Sequence, residues 1–235
     1  MSHCTVTLSA NAGGALALGP ARIWYDAMHR QQVPGFSTIS PALMAALEQT
    51  RAFYDPDLIL CSHCHPDHCS IPLLKEAQRL WPRAKLVLPE PHLPDQILLE
   101  GESRMSLAGL ELRFAPLPHE GAQYARVANY GCILRSGDFR VLLAGDCAVA
   151  SPALVKFAGG EPIDLAILNF PWLTLPRGRA VIESIRPRHL LIWHLPFQED
   201  DRWGYRLAAR RALGKLITIP DARLLLEPLQ EETFD

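Results

Sequence analysis

The chain of 235 residues carries little net charge: 23 Lys and Arg against 25 Asp and Glu leave −2 at pH 7. That balance gives no general electrostatic attraction for nucleic acid or an anionic membrane surface, and no basic arm for tRNA stands out. No apolar run approaches the length needed to span a bilayer. Met1 to Ala10 mixes polar and apolar residues, with no basic segment leading into a long apolar one, so a cytoplasmic location is expected. The sequence has no internal repeat, low-complexity segment or clear linker. Gly-x-Ser-x-Gly, Walker-type and Gly-x-Gly-x-x-Gly motifs are absent, so neither a serine elbow nor a nucleotide cofactor is implied. Six cysteines are present, but only Cys61 and Cys64 form a Cys-x-x-Cys pair, and a cysteine-rich zinc site would want a second. Reduced, mostly structural thiols are expected. Cys69 and Cys147 each follow a candidate ligand and carry the alternative redox reading.

Hydrophobic residues make up 49% of the chain, enough for a substantial core in one domain spanning 1–235. The chemistry is concentrated in Ser62-His63-Cys64-His65-Pro66-Asp67-His68, directly after the apolar run Leu58-Ile59-Leu60. An apolar run that stops in such a cluster reads as a buried strand delivering ligands at its C-terminal end. In extended backbone, His63 and His65 point to one side and Cys64 to the other. Pro66 then turns the chain, so that Asp67 and His68 reach a second position beside the first. Imidazole and carboxylate suit zinc, iron or manganese. Three further residues stand at or just past strand ends. His119 follows Ala115-Pro116-Leu117-Pro118, Asp146 closes Val141 to Gly145, and His194 closes Leu190 to Trp193.

Short strands are expected at Thr5 to Leu8, Ala15 to Leu18 and Arg22 to Tyr25, the last ending in Asp26. Ala27 to Ser40 reads as a flap, with His29, Arg30 and Phe36 as substrate contacts. Ser40-Pro41 caps a helix running to about Phe53. Another helix covers Ile71 to Trp81, and a short one is expected at Pro94 to Leu99. Strands follow at Lys85 to Leu88, Met105 to Leu107 and Glu111 to Ala115, with a hairpin around Ser136-Gly137-Asp138. Ser151 to Phe157 is helical, and Leu165 to Leu168 is a strand leading to a loop with Trp172, Arg177 and Arg179. A helix at Ala180 to Ile185, a strand at His189 to Trp193 and a helix at Trp203 to Leu216 come next. Closing strands are expected at Leu216 to Ile219 and Leu224 to Glu227. Strands first, then strands alternating with helices, indicate sheet packed on sheet with outer helices.

The His-x-His-x-Asp-His run with the later His119, Asp146 and His194 resembles the metallo-β-lactamase superfamily, over nearly the whole chain. The resemblance implies an α/β fold, a four-layer αββα sandwich. It implies one metal site of His63, His65 and His119 and a second of Asp67, His68 and His194, bridged by Asp146. Asp26 would support the metal loop without binding metal. Two divalent ions, zinc first and manganese or iron as alternatives, would generate a hydroxide that cleaves an ester, lactone or phosphodiester bond. Asp67 and His194 are the expected catalytic residues among the ligands. Leu117-Pro118-His119-Glu120-Gly121 and Leu143-Ala144-Gly145-Asp146 look most like the compact branch containing ascorbate-6-phosphate lactonase and the ribonuclease Z-like phosphodiesterases. A small substrate, with or without a phosphate, is expected, met by Arg177, Arg179, Trp172 and Phe36, since paired arginines suit phosphate. A nuclease acting on RNA or DNA and a non-catalytic metal-binding scaffold are the alternatives. Substrate identity and oligomeric state do not follow from the sequence.

Overall fold

The computed structural model describes residues 3–216 and 218–235. In chain order the elements are β1 (Cys4–Ala10), β2 (Gly13–Leu18), β3 (Ala21–Tyr25), α1 (Pro41–Glu48), β4 (Leu58–Leu60), α2 (Ile71–Leu80), β5 (Lys85–Leu88) and β6 (Ile97–Leu98). There follow β7 (Ser103–Leu107), β8 (Leu110–Pro116), β9 (Tyr130–Ser136), β10 (Phe139–Leu143), α3 (Ala153–Ala158), β11 (Leu165–Asn169), α4 (Phe170–Thr174) and α5 (Pro176–Ile185). The chain closes with β12 (His189–Trp193), α6 (Tyr205–Leu213), β13 (Asp221–Leu224) and β14 (Glu231–Phe234).

The strands form two seven-stranded sheets, ordered β14-β1-β2-β3-β4-β5-β6 and β13-β12-β11-β10-β9-β8-β7. Each is mixed in the same way. An antiparallel part joins a parallel part, β3 to β6 in one sheet and β10 to β13 in the other. Parallel strands need crossovers, and the helices of the chain lie in them.

Period-two alternation then separates the layers. On β10, β11 and β12, Val141, Leu143, Leu165, Ile167, Leu191 and Trp193 face the core between the sheets. Their neighbours Leu142, Ala166, Leu168, Leu190 and Ile192 pack outward on Leu154, Trp172, Ile182 and Ala209 of α3, α4, α5 and α6. On β3, Tyr25 stacks on Trp193 across the sheets, while Trp24 turns outward to Phe53 and Trp81 beside α1 and α2. The result is helix, sheet, sheet, helix, the expected four-layer sandwich. No described helix is long and apolar enough to cross a membrane.

Several boundaries differ from the sequence reading. Pro94 to Leu99 is not a helix: Ile97 and Leu98 pair with Val87 and Leu88 as a short parallel edge strand. An exposed sheet edge offers unpaired backbone groups, and that pairing outweighs the helical preference of a short apolar run. The first helix stops at Glu48, where Thr50 bonds back to the Ala46 carbonyl, and a separate 3-10 turn covers Arg51–Phe53. The last helix begins at Tyr205, because Gly204 is left-handed and the Asp201 carboxylate accepts from the Tyr205 and Arg206 amides. Trp203 therefore precedes it. The closing strands are Asp221–Leu224 and Glu231–Phe234. The strand expected at Leu216 to Ile219 includes Ile217, which lies outside the described residues; the other three are not in a strand.

Candidate metal centre

The ligand loop is held from behind by Asp26, which directly follows β3, the neighbour of β4. Its Oδ1 accepts the Ser62 amide at 2.7 Å, and its Oδ2 accepts the Ser62 hydroxyl at 2.6 Å. Oδ2 also lies 3.0 Å from His68 Nδ1. The loop cannot shift without breaking these contacts. Asp26 is buried, and so are His63 and His68.

Counting donors fixes two imidazole tautomers. The single hydroxyl proton of Ser62 goes to Asp26, so Ser62 Oγ, 2.9 Å from His63 Nδ1, can only accept from it. His119 Nδ1 lies 2.7 Å from the Glu120 carbonyl, which likewise can only accept. In His63 and His119 the proton therefore sits on Nδ1, and the lone pair of Nε2 faces the cluster. This is how second-layer partners orient metal-binding histidines. The two Nε2 atoms, both lone-pair bearing, stand 3.3 Å apart. His68 Nε2 and His194 Nε2 stand 3.0 Å apart. Like atoms so placed repel unless a proton or a cation lies against them, and an all-imidazole and carboxylate set suits a divalent transition ion.

Two groups of ligand atoms form, each with all members within 4.8 Å of one another: His63, His65, His119 and Asp67, His68, His194. Asp146 stands between them. Its Oδ1 is 3.3 Å from His68 Nε2 and 3.6 Å from His194 Nε2. Its Oδ2 is 3.9 Å from His63 Nε2 and 3.7 Å from His119 Nε2. Asp67 Oδ2 is 3.8 Å from both His68 Nε2 and His194 Nε2. All seven expected ligands thus converge. Burial alone would push the Asp146 pKa up, but the imidazoles of His68, His194 and His63 outweigh it and hold the carboxyl well below its usual range. Burial pushes His63 well down, and the neighbouring His68 adds to that.

Strand ends explain the convergence. Asp26, Gly145 and His194 follow β3, β10 and β12, and all three have positive φ, at 48°, 54° and 59°. Such left-handed residues turn the chain sharply off the sheet, and in Asp26 and His194 this is stored strain of the kind found at functional sites. At Gly145 no side chain fits: a Cβ would stand 2.4 Å from Asn129 Oδ1 and 2.9 Å from Ser62 Cβ. Gly145→Ala is therefore expected to lower stability by about 1–3 kcal/mol and to reduce bound metal by displacing Asp146. Denaturant midpoints and elemental analysis would check it; an unchanged midpoint would refute the argument.

Two positioning residues escaped the sequence reading. Asn169, the last residue of β11, donates Nδ2 to Asp146 Oδ1 at 2.6 Å and to the Gly145 carbonyl, and accepts from Trp193 Nε1. Asn129 accepts the Asp146 amide on Oδ1 and donates to the Leu117 carbonyl. Asn169 did carry a signal, a polar residue closing an apolar strand like the ligands themselves. Asn129 carried none.

A cavity of about 230 Å³ opens over the cluster, lined among others by Phe36, Tyr124, Phe170, Trp172, Val33 and Val149. Phe36 stands edge-on to His194 with ring centroids 4.5 Å apart, and Tyr124 lies 4.7 Å from the ring of His65. Trp172 and Phe36 thus stand where expected, and Tyr124 is an addition. His29 does not line the cavity: it is fully buried, its Nε2 lies 3.4 Å from the Ala10 carbonyl, and burial lowers its pKa to about 4. Arg30 is exposed. Phe197 is buried in the hydrophobic core, and Tyr205 stacks behind Phe36 and Phe170.

Arg177 and Arg179 are not brought to the cavity. Pro176 starts α5 four residues before the expected helix, because proline is pre-set for the first helical turn. On that helix Arg177 is exposed, while Arg179 donates to the Leu173 and Thr174 carbonyls, both at 2.9 Å, at the end of α4. Among the described residues no Arg or Lys lines this cavity. Cys147 does line it, but burial pushes its thiol up to about 12, which keeps it protonated. A larger cavity of about 550 Å³ beside Arg104, Arg113 and Lys156 contains none of the candidate ligands.

A family model described as the beta-lactamase superfamily domain matches residues 33–195, well over half of the chain. The chain belongs to that superfamily. Among solved structures it is similar to the metallo-beta-lactamase fold protein YhfI from Bacillus subtilis, with TM-score 0.71 and 12% identity over 99% of this chain and 100% of that one. An isothiocyanate hydrolase from Delia radicum gut bacteria matches with TM-score 0.69 and 14% identity over 99% and 98%. CmlA, a diiron beta-hydroxylase from Streptomyces venezuelae, matches with TM-score 0.64 and 16% identity over 98% of this chain and 54% of that one. Identities this low establish a shared fold. No curated protein sequence matches the chain.

Proposed function

We propose that this superfamily member is a metal-dependent hydrolase with a dinuclear centre, acting on a small, uncharged substrate with an apolar or aromatic group. One observation carries the reading. The two oxygens of Asp146 face different imidazole pairs, His68 with His194 and His63 with His119. A carboxylate that faces two ligand groups at once would serve both ions of a dinuclear centre. His63, His65 and His119 would hold one ion, and Asp67, His68 and His194 the other, with Asp146 shared. When bound, divalent ions lower the pKa of water and polarise the oxygen of a carbonyl or phosphoryl group. Zinc is the proposed metal, with manganese and iron as the other ions that this donor set accepts.

The chain's own residues do the rest. Asp26 and Ser62 hold the imidazoles in the tautomer that presents Nε2. Asn169 fixes one oxygen of Asp146 by hydrogen bonding. Asp67, buried and beside His194, is placed to accept a proton from an attacking water, and His194 keeps its ring toward the same space. Phe36, Trp172, Phe170 and Tyr124 exclude water from the cavity wall and favour an apolar group.

Among the described residues no Arg or Lys lines the cavity, so no side-chain cation stands there to bind a phosphate group beyond what the metal ions themselves would supply. A neutral ester, lactone, thioester or related electrophile suits the walls better. The isothiocyanate hydrolase that shares the fold is named for a neutral electrophile of this sort.

Metal content of protein purified without chelator, followed by a screen of neutral and phosphorylated substrates, tests the proposal. About two ions per chain with turnover of neutral substrates is the expected result; no metal uptake would overturn it. On a neutral substrate, Phe36→Ala is expected to raise KM about 10-fold with kcat little changed, the loss of ~1.5 kcal/mol of apolar contact. Arg177→Ala should leave both constants unaltered, and a raised KM there would restore the phosphate reading.

A further inference from the structure

Cys64 lies between His63 and His65 in sequence, but its thiol does not join their group. It meets the loop that joins β5 to β6. The Cys64 Sγ, a Glu90 carboxylate oxygen and a His92 ring nitrogen all lie within 4.8 Å of one another. The His92 Nε2 and Glu90 Oε2 atoms are 3.5 Å apart.

The loop that presents Glu90 and His92 is built rather than slack. Glu90 precedes Pro91, which biases it to extended backbone, and in extended backbone positions two apart share a side. Gln96 then locks the turn. Its Oε1 accepts the His92 and Leu93 amides at 2.8 and 2.7 Å, and its Nε2 donates to the Glu90 carbonyl at 2.7 Å. Cys64 itself is half-buried and packs against the core that contains Cys61 and Cys69.

We propose that Cys64, Glu90 and His92 form a separate mononuclear site for a borderline divalent ion such as zinc, on the outer side of the ligand loop. One thiolate, one imidazole and one carboxylate make a donor set that zinc accepts, with a fourth position left for water. Tetrahedral bonds of about 2.0–2.3 Å place ligand atoms closer together than the 4.8 Å limit that these three already satisfy. Half-exposure of Glu90 and His92 gives the ion an entry path. The site would tie the stretch that carries His63 and His65 to the β5–β6 loop, a tether that Asp26 does not provide. Zinc binds cysteine as the thiolate, so uptake at this site would release the thiol proton.

Cobalt(II) separates this site from the dinuclear centre, whose proposed ligands include no sulfur. Chelator-stripped protein titrated with cobalt is expected to take up a third ion per chain, with thiolate-to-cobalt charge-transfer absorption in the near ultraviolet. C64S and H92A should each lose that band and one ion while keeping the visible bands of the imidazole and carboxylate centre. His92 is exposed, so H92A tests the site without disturbing packing. A saturated wild-type protein with no charge-transfer band overturns the proposal, as does a band that survives C64S and disappears in C147S. The band with a single ion per chain would uphold this site and overturn the dinuclear one.

Discussion

Asp146→Ala is expected to abolish hydrolysis, by more than about 100-fold, and to leave fewer than two ions bound per chain. The magnitude follows from the place of the side chain. Partners that only orient ligands change affinity by about 10–100-fold, and Asp146 touches both imidazole pairs directly. Each oxygen lies within 4 Å of two Nε2 atoms, so its removal would take one oxygen from each proposed ligand group, and His68 and His194 would keep only Asp67 and Asp26 beside them. Asp146→Asn keeps the volume and loses the charge, and should fall between wild type and alanine in ions retained. Elemental analysis on both variants, with turnover on whichever neutral substrate the screen finds, decides the matter. Full occupancy in Asp146→Ala would show that the carboxylate does not bridge.

Asp26→Asn carries the second large effect: metal affinity is expected to fall about 10- to 100-fold without loss of any direct ligand. Asparagine tolerates the left-handed backbone that Asp26 adopts at φ 48°, so the substitution leaves the turn in place. It replaces an acceptor of three hydrogen bonds with a group that has one acceptor oxygen and two donors. His68 Nδ1 or the Ser62 hydroxyl then loses its partner, and either loss frees a ring to turn. A buried donor left unsatisfied also costs about 1–3 kcal/mol, so the denaturant midpoint should drop with it. Competition against a chromogenic chelator gives the affinity, and a value equal to wild type would show that the loop is oriented by something else.

The seven candidate ligands were legible in the sequence because a His or Asp follows each apolar run, and the resemblance then divided them into two groups. The layers were legible from the order of strands and helices, and the resemblance implied the four-layer sandwich. An apolar run such as Val141 to Leu143 or Leu190 to Ile192, buried on both faces, means a strand between two layers. Asp26 was read as a supporting residue from resemblance alone, and its three hydrogen bonds give that reading a physical cause. The misplaced elements were those whose ends are set by a neighbouring element rather than by their own pattern. Ile97 and Leu98 form a strand because β5 offers them an edge, and helix α5 starts early because Pro176 follows α4 directly.

The sequence by itself determined the chemistry available: which donor atoms exist, and that strands deliver them to one end of two sheets. Only the tertiary structure decided how those atoms are shared. The two oxygens of Asp146 point to different pairs because Asn169 and Asn129, from β11 and the turn before β9, hold that residue from two directions. The apolar wall depends on Phe36 and Tyr124 folding over His194 and His65 from distant loops. The arginines were lost to the site because helical geometry sends Arg177 outward and Arg179 to backbone carbonyls. Periodicity is a local property of the chain and can be read along it. Contacts between residues a hundred positions apart depend on how the sheets stack, and nothing local encodes them.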